Sequence, residues 1–289
     1  MSGGGSRGRG SARWGLVLSL LLSSSACTDE PPGLGGSTAP SDDRLLVLPP
    51  LQPCVAEGPA PESIRVASWN ISAGRRSSLS QVQAQLEQID ADVLLLQELD
   101  VGTRRTNGVD QPRALAEALG MDFGFAAALE WDGGDFGLAV LSRLPFFSAR
   151  RVSLDSEGAD EPRIVFDVRV CAGSQPLRLL DVHADFLEEA NLRNLEDLRD
   201  FLGPNPPGPI VVAGDFNAVD EAPGVQAVLS TGLVDLFSSW DPGPTRQGER
   251  IDFVFVDEAL APRVLEAGRV QTDASDHTPL WIDLQPPVL

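Results

Sequence analysis

Ile210-Val211-Val212-Ala213-Gly214-Asp215-Phe216-Asn217-Ala218 decides how the chain is read, because an apolar run breaks abruptly into a glycine, a carboxylate and a carboxamide. A short β-branched run of this kind is a buried strand, and the polar residues stand where that strand leaves the core. Working outward, the same event recurs. Val66-Ala67-Ser68-Trp69 ends in Asn70, Leu94-Leu95-Leu96 runs into Gln97-Glu98, and Leu179-Leu180-Asp181-Val182 delivers His183. Farther on come Arg250-Ile251-Asp252-Phe253 and Ala274-Ser275-Asp276-His277. One polar strand end is ordinary, since every strand must leave the core. A succession made wholly of Asp, Glu, Asn and His points to a shared site. The chain has 2 histidines, and both fall at such positions, neither on an apolar helical face that would make it a core residue.

Periodicity predicts strands over 64–70, 93–97, 137–141, 164–170, 177–184, 210–213, 251–256 and 280–284. Helices are predicted over 79–88, 113–119 (closed by Gly120) and 192–202, so strands and helices are interspersed along the chain. With 289 residues, one large domain plus a leader is the natural organisation.

Lysine is absent, arginine carries all the side-chain positive charge, and the formal net charge is −20. Non-specific nucleic-acid affinity comes mostly from Lys and Arg neutralising phosphates, so a tight, processive nucleic-acid binder is disfavoured. Transient cleavage of a nucleic acid is compatible with this charge, because a catalytic metal supplies local positive charge.

The N-terminus reads as a targeting segment: Arg7, Arg9 and Arg13 precede a short apolar run over 14–22, too short to span a bilayer comfortably. Ser23-Ser24-Ser25-Ala26-Cys27 resembles the bacterial lipoprotein cleavage box, departing from it at Ser24, where Leu is usual. That resemblance implies a signal peptide over 1–26 and a lipidated Cys27 anchoring the protein to a bacterial outer membrane or cell surface. The alternative is an ordinary signal peptide cut nearby and a periplasmic or secreted product. Residues 27–61, rich in Pro, Gly, Ser and acidic side chains, read as a tether, and 62–289 as the domain. The apolar run over 45–51 either packs on the domain or does not. With Cys27 taken as an anchor, Cys54 and Cys171 remain, either as a disulfide or as two unrelated thiols.

Ser68-Trp69-Asn70, Leu96-Gln97-Glu98, Val182-His183, Gly214-Asp215-Phe216-Asn217-Ala218 and Ser275-Asp276-His277 together resemble the endonuclease/exonuclease/phosphatase superfamily, in that family's order over 64–284. This group includes pancreatic-type deoxyribonuclease, abasic-site endonucleases, inositol-polyphosphate 5-phosphatases and bacterial sphingomyelinases. The resemblance implies an α/β (α+β) fold, a four-layer sandwich of two mixed β-sheets packed face to face with helices outside. It also implies a metal-dependent phosphoester hydrolase acting on nucleic acid, phospholipid head groups or a small phosphoester, and a monomer is expected. Hard oxygen ligands suit Mg²⁺ or Mn²⁺, placed by the resemblance at Glu98 with Asn70 and Asp276. Asp215 would orient or deprotonate the attacking water, and Asn217 would hold a phosphate oxygen. His277 would donate to the phosphate with Asp252 fixing its tautomer, and His183 would be the second imidazole on the phosphate or leaving group. Which histidine acts as the acid stays open.

Departures from the family pattern carry information too. The chain has no tyrosine, which speaks against the abasic-site subgroup, and Leu138 stands where many bacterial members carry Asn. Leu138 is the main support for a rival reading, a catalytically inactive surface-binding protein on the same fold. Against that rival, every metal, base and histidine position holds a competent residue. Arg104, Arg105 and Arg113, in the stretch after Glu98, and Arg193, after His183, are placed outside the site proper.

Overall fold

The computed structural model describes residues 44–54, 61–159, 161–239 and 243–286. The expected signal peptide, Cys27 and most of the expected tether lie outside them. The first half of the domain runs β1 (Leu45–Leu48), β2 (Ile64–Asn70), α1 (Leu79–Ile89), β3 (Val93–Val101), α2 (Gln111–Leu119), β4 (Asp122–Trp131), β5 (Gly134–Ser142) and β6 (Phe146–Ser153). The second runs β7 (Ile164–Ala172), β8 (Gln175–His183), α3 (Glu188–Leu202), β9 (Ile210–Asp215), α4 (Pro223–Leu229), β10 (Val234–Asp235), β11 (Asp252–Val256), β12 (Val264–Arg269) and β13 (Leu280–Leu284).

One sheet has the order β1-β4-β5-β3-β2-β13-β12 and the other β10-β11-β9-β8-β7-β6. Each contains one parallel pair, β2 with β3 and β8 with β9, while the remaining pairings are antiparallel. Parallel neighbours need a crossover, and here α1 and α3 supply it. α1 starts where the Ser78 side chain and Gln81 form a reciprocal capping box, and it buries Val82, Leu86 and Ile89 along one face.

The apolar side chains sort into layers as the four-layer expectation requires. Val66, Leu95 and Val140 from one sheet pack with Phe166, Leu179 and Val211 from the other to form the middle. Val82, Leu86 and Leu115 of α1 and α2 cover the outer face of the first sheet, and Leu195, Leu198 and Val225 of α3 and α4 cover the second. Polar contacts also cross between the sheets: among them Arg151 Nε donates to the Ala127 carbonyl at 2.7 Å, and Gln97 Nε2 donates to Asp181 Oδ1 at 2.6 Å. Burial raises the Asp181 carboxyl well above the usual carboxylate range against the pull of that bond, so this is an acid–amide contact rather than a buried charge.

The domain begins earlier than residue 62. β1 pairs antiparallel with β4, the Gln52 amide donates to the Phe146 carbonyl at 2.8 Å, and Cys54 is disulfide-bonded to Cys171 of β7. The stretch assigned to a tether therefore contributes an edge strand, whose few apolar residues are hidden among prolines. Leu138 is corrected as well. It lies 2 % exposed in the inter-sheet core with Leu129 and Phe136, and does not face the cleft.

Gly214 holds the second parallel pair together. Its φ is +149°, and a Cβ there would run into the Val182 carbonyl of β8. Gly214→Ala is expected to lower unfolding free energy by about 1–3 kcal/mol or more through strain and overpacking, read by chemical denaturation.

Candidate active site

The two parallel pairs end at the same edge of the sandwich, and this places the polar strand ends together. Asn70 is the register partner of Gln97, and His183 the partner of Asp215, which is also paired with Asp252 across β9 and β11. Glu98 follows Gln97 at a β-bulge between Leu96 and Leu99, with φ +58°. A bulge inserts one residue against none opposite and re-aims a side chain, here out of the strand's alternation and toward the site.

Asn70 is fully buried and uses all of its amide. Nδ2 donates to Glu98 Oε1 at 3.1 Å and to Asp215 Oδ2 at 2.9 Å, while Oδ1 accepts from the Ser72 amide at 2.9 Å. The second bond joins one sheet to the other. Asp215 Oδ1 accepts from the Asn217 amide at 2.9 Å, a turn in which Asn217 takes φ +47°, a conformation asparagine tolerates better than most residues. The Asn217 side chain donates to the Ala184 carbonyl at 3.0 Å. Burial, with the Asp252 charge adding, lifts the Asp215 carboxyl to about 7 against His277 and the Asn70 and Asn217 donors.

The Asp276-His277 corner is pinned by backbone contacts. Trp69 Nε1 donates to the His277 carbonyl at 2.9 Å, and Ser275 Oγ donates to the Asn70 carbonyl at 2.7 Å. Ser72 Oγ donates to Asp276 Oδ1 at 2.8 Å. Burial pushes the Asp276 carboxyl up, but Ser72, His277 and Arg246 together bring it down to about 2. His277 Nδ1 lies 3.0 Å from Asp252 Oδ2, and Nε2 lies 3.5 Å from Asp215 Oδ2. Burial lowers the His277 imidazole, yet Asp252, by charge and hydrogen bond, and Asp215 by charge lift it to about 9.

His183 has the opposite surroundings. Arg163, 4 % exposed, places Nη1 3.2 Å from His183 Nδ1, and its other nitrogens face Glu161 at 3.2 Å and Asp185 at 3.6 Å. A guanidinium only donates, so the ring nitrogen it bonds must accept; Arg163 Nη1 also lies 3.5 Å from Nε2, which is itself 3.7 Å from Asp215 Oδ2. Burial and then the Arg163 charge push the His183 imidazole well below its usual range, so the contact with Asp215 is not an ion pair.

All eight predicted residues are thus gathered at one end of the sandwich. Asp215, Asp252 and His277 offer ligand atoms within 4.8 Å of one another and could hold a metal. His277 Nδ1 is already engaged with Asp252, however, and a hard cation prefers oxygen donors, which favours Glu98, Asn70 and Asp276. In this structure those carboxylates are matched by arginines: Arg75 lies 2.5 Å from Glu98, and Arg246 and Arg76 lie 3.1 Å and 3.4 Å from Asp276. Arg163, Arg75, Arg246 and Ser72 escaped the sequence reading, since none stands at a polar strand end. Of the arginines set outside the site, Arg105 lines the cleft, Arg104 is exposed and tied to Asp132, Arg113 pairs with Asp110 at the start of α2, and Arg193 donates to the Glu157 carbonyl.

Residues 67–277 match the model of the Endonuclease/Exonuclease/phosphatase family. The chain belongs to this family. Its members hydrolyse phosphoesters. Among relatives, the uncharacterized protein YbhP of Escherichia coli K12 is 27 % identical over 248 residues, covering 77 % of this chain and 96 % of YbhP. The endonuclease/exonuclease/phosphatase from Beutenbergia cavernae superposes with a TM-score of 0.65 at 23 % identity, covering 79 % of this chain and 74 % of that one. The 3′ phosphatase NExo from Neisseria, solved with a product DNA hairpin, gives a TM-score of 0.60 at 19 % identity, covering 77 % and 99 %. These structures share the two-sheet fold.

With 2 histidines in the chain, proton NMR reads both. His277 is expected to titrate near 9 and His183 to stay neutral well below pH 6.5. Asp252→Asn should move the His277 midpoint downward and leave His183 where it was.

Proposed function

We propose that the protein is an exported phosphodiesterase dependent on Mg²⁺ or Mn²⁺. The observation that carries this reading is the hydrogen bond from Asn70 to Asp215, which draws the acidic end of one sheet against the acidic and histidine-bearing end of the other. Glu98 and Asp276, with Asn70, would hold the cation, whose charge would neutralise the phosphate and stabilise the leaving alkoxide. Asp215, lifted toward neutral pH, is poised to orient and deprotonate the attacking water. His277, charged at neutral pH and oriented by Asp252, donates to the phosphate and supplies the proton the leaving group needs. Neutral His183 acts as a hydrogen-bond donor through its one ring N–H, and Asn217 places its amide beside the same oxygens. Leu138, the feature that spoke for a non-catalytic protein, is a core residue and no longer supports that alternative.

Export and anchoring through Cys27 rest on the basic-then-apolar N-terminus and its small residues before the cysteine. The Cys54–Cys171 disulfide supports an oxidising compartment. Replacing Cys27→Ser in a bacterial host should move the protein from the membrane to the soluble fraction. Retention on the membrane would remove the lipid anchor from the reading.

The full-length chain is expected to hydrolyse bis-p-nitrophenyl phosphate with Mg²⁺ or Mn²⁺ and to stop with EDTA. No turnover with any divalent metal would sink the assignment. Asp215→Asn and His277→Gln should each lower kcat by roughly 100-fold or more. The kcat/KM profile should rise through pH about 7, as Asp215 loses its proton, and fall above about 9, as His277 loses its own.

A further inference from the structure

The cleft that holds Glu98, His183, Asp215 and Asn217 continues past them into a wall of Leu129, Trp131, Phe136 and Phe186, a cavity of about 370 Å³ in all. The wall is built, not incidental. Trp131 and Phe136 sit on the β4–β5 hairpin, where Leu129 opposes Phe136 and Trp131 opposes Gly134. A Cβ on Gly134 would meet the Val101 carbonyl and the Thr103 amide, so the hairpin tip lies directly against the backbone that follows Glu98. Asp132 at that tip accepts from Arg104 Nε and from the Arg105 amide, both at 2.8 Å. Arg105 is then clamped by the fully buried Asp100 at 2.6 Å and 2.7 Å, with its guanidinium 5.8 Å from the Trp131 ring centre and 5.3 Å from that of Phe136.

Phe186 comes from a different loop. The Leu187 amide donates to Asp185 Oδ1 at 2.8 Å, and Asn191 Nδ2 donates to the Asp185 carbonyl at 2.7 Å, which fixes the turn that carries it. Its side chain is nonetheless 56 % exposed at the cavity. An aromatic held on an ordered turn and left in water beside a phosphate site is ready for a ligand's apolar group.

Resting on the phosphodiesterase reading, we infer that Trp131 and Phe186, with Phe136 packed behind them, select a small phosphoester whose esterified group is an uncharged, flat aromatic ring system, of mononucleotide size, rather than a polymer or a cationic head group. Three features lead there. A cavity of about 370 Å³ lies at the small end of ligand pockets and holds a phosphate with one ring-bearing group. Arg75, Arg105, Arg163 and Arg246 line the same cavity against Glu98, Glu161 and Asp215, so a quaternary ammonium would meet guanidiniums rather than an aromatic cage free of positive charge. A net charge of −20 opposes a long polyanion beyond the cavity, whereas aromatic faces stack on rings without regard to base identity.

The test is direct binding, so that it stands apart from turnover. Calorimetry on the full-length chain with Mg²⁺ compares thymidine 5′-monophosphate, glycerol 3-phosphate and phosphocholine. Thymidine monophosphate is expected to bind roughly tenfold tighter than glycerol 3-phosphate, with phosphocholine weakest. Trp131→Ala should close most of the gap and Trp131→Phe keep it. Phe186→Ala, on an exposed side chain, repeats the test without disturbing the core. Equal affinities, no binding of any of the three, tightest binding of phosphocholine, or a preference that survives both alanine variants would overturn the inference. The two readings fail separately. Ring-selective binding without turnover of any diester leaves the wall standing and removes the hydrolase. Turnover of bis-p-nitrophenyl phosphate without ring selectivity does the reverse.

Discussion

Everything at the functional end depends on one amide. Asn70 belongs to the seven-stranded sheet and Asp215 to the six-stranded sheet, and the 2.9 Å bond between them crosses a gap that is filled mainly by apolar packing. Packing of Val66, Leu95, Phe166 and Val211 sets the distance between the sheets, but it is indifferent to small slides of one over the other. A buried carboxylate is not. Asp215 needs donors to stay in the interior, and the geometry that gives it Asn70 on one side and the Asn217 amide on the other fixes how the two strand ends face each other. Glu98 follows, because the same Asn70 nitrogen reaches its carboxylate, and Asp276 follows through Ser72, whose amide donates to the Asn70 carbonyl oxygen of the side chain.

Much of this was legible because strands end where apolar runs end. Residues such as Asn70, His183 and Asp215 announce themselves by interrupting Val, Leu and Ile, and their convergence follows once two parallel pairs are recognised. What stayed hidden has physical reasons. β4 reads Asp-Phe-Gly-Phe-Ala-Ala-Ala-Leu-Glu-Trp, in which alanines and a glycine erase the β signal, although Gly124 is required because a Cβ there would press on the Phe166 ring. β6 carries Arg150 and Arg151 at the edge of its sheet, so its alternation looks polar. β1 is four residues of Leu and Val followed by two prolines, too short to declare itself before its partner is known. Arg163 stands before a strand rather than at the end of one, and nothing in its neighbourhood in sequence connects it with His183. The aromatic wall was invisible for a related reason: Trp131 and Phe136 look like hairpin residues until the turn is docked on the loop after Glu98.

The arginines show how positive charge is distributed in an acidic protein. With no lysine in the chain, positive charge arrives only as guanidinium, which presents several fixed donors and tolerates burial beside carboxylates. Arg75 and Arg246 are spent on Glu98 and Asp276, and Arg105 on Asp100. The net charge of the surface and the charge of the cleft are therefore separate quantities, and the cleft is locally balanced while the exterior repels polyanions.

The two histidines carry this local balance to its chemical consequence. Both are buried, and burial lowers both. What separates them is the partner: Asp252 and Asp215 face His277, whereas Arg163 faces His183. A carboxylate stabilises the imidazolium and a guanidinium disfavours it, so one ring is a charged proton donor near neutral pH and the other a neutral ring with one N–H. Two groups of the same kind driven apart in this way assume different tasks. Asp215 lies between them, 3.5 Å from one imidazole and 3.7 Å from the other, and burial and the Asp252 charge raise its affinity for a proton against the pull of His277. The proton relationship between Asp215 and His277 belongs to the pair rather than to either residue. Because Asn70 sets where Asp215 sits, the bond that aligns the sheets also sets the 3.5 Å separation of Asp215 from the His277 imidazole.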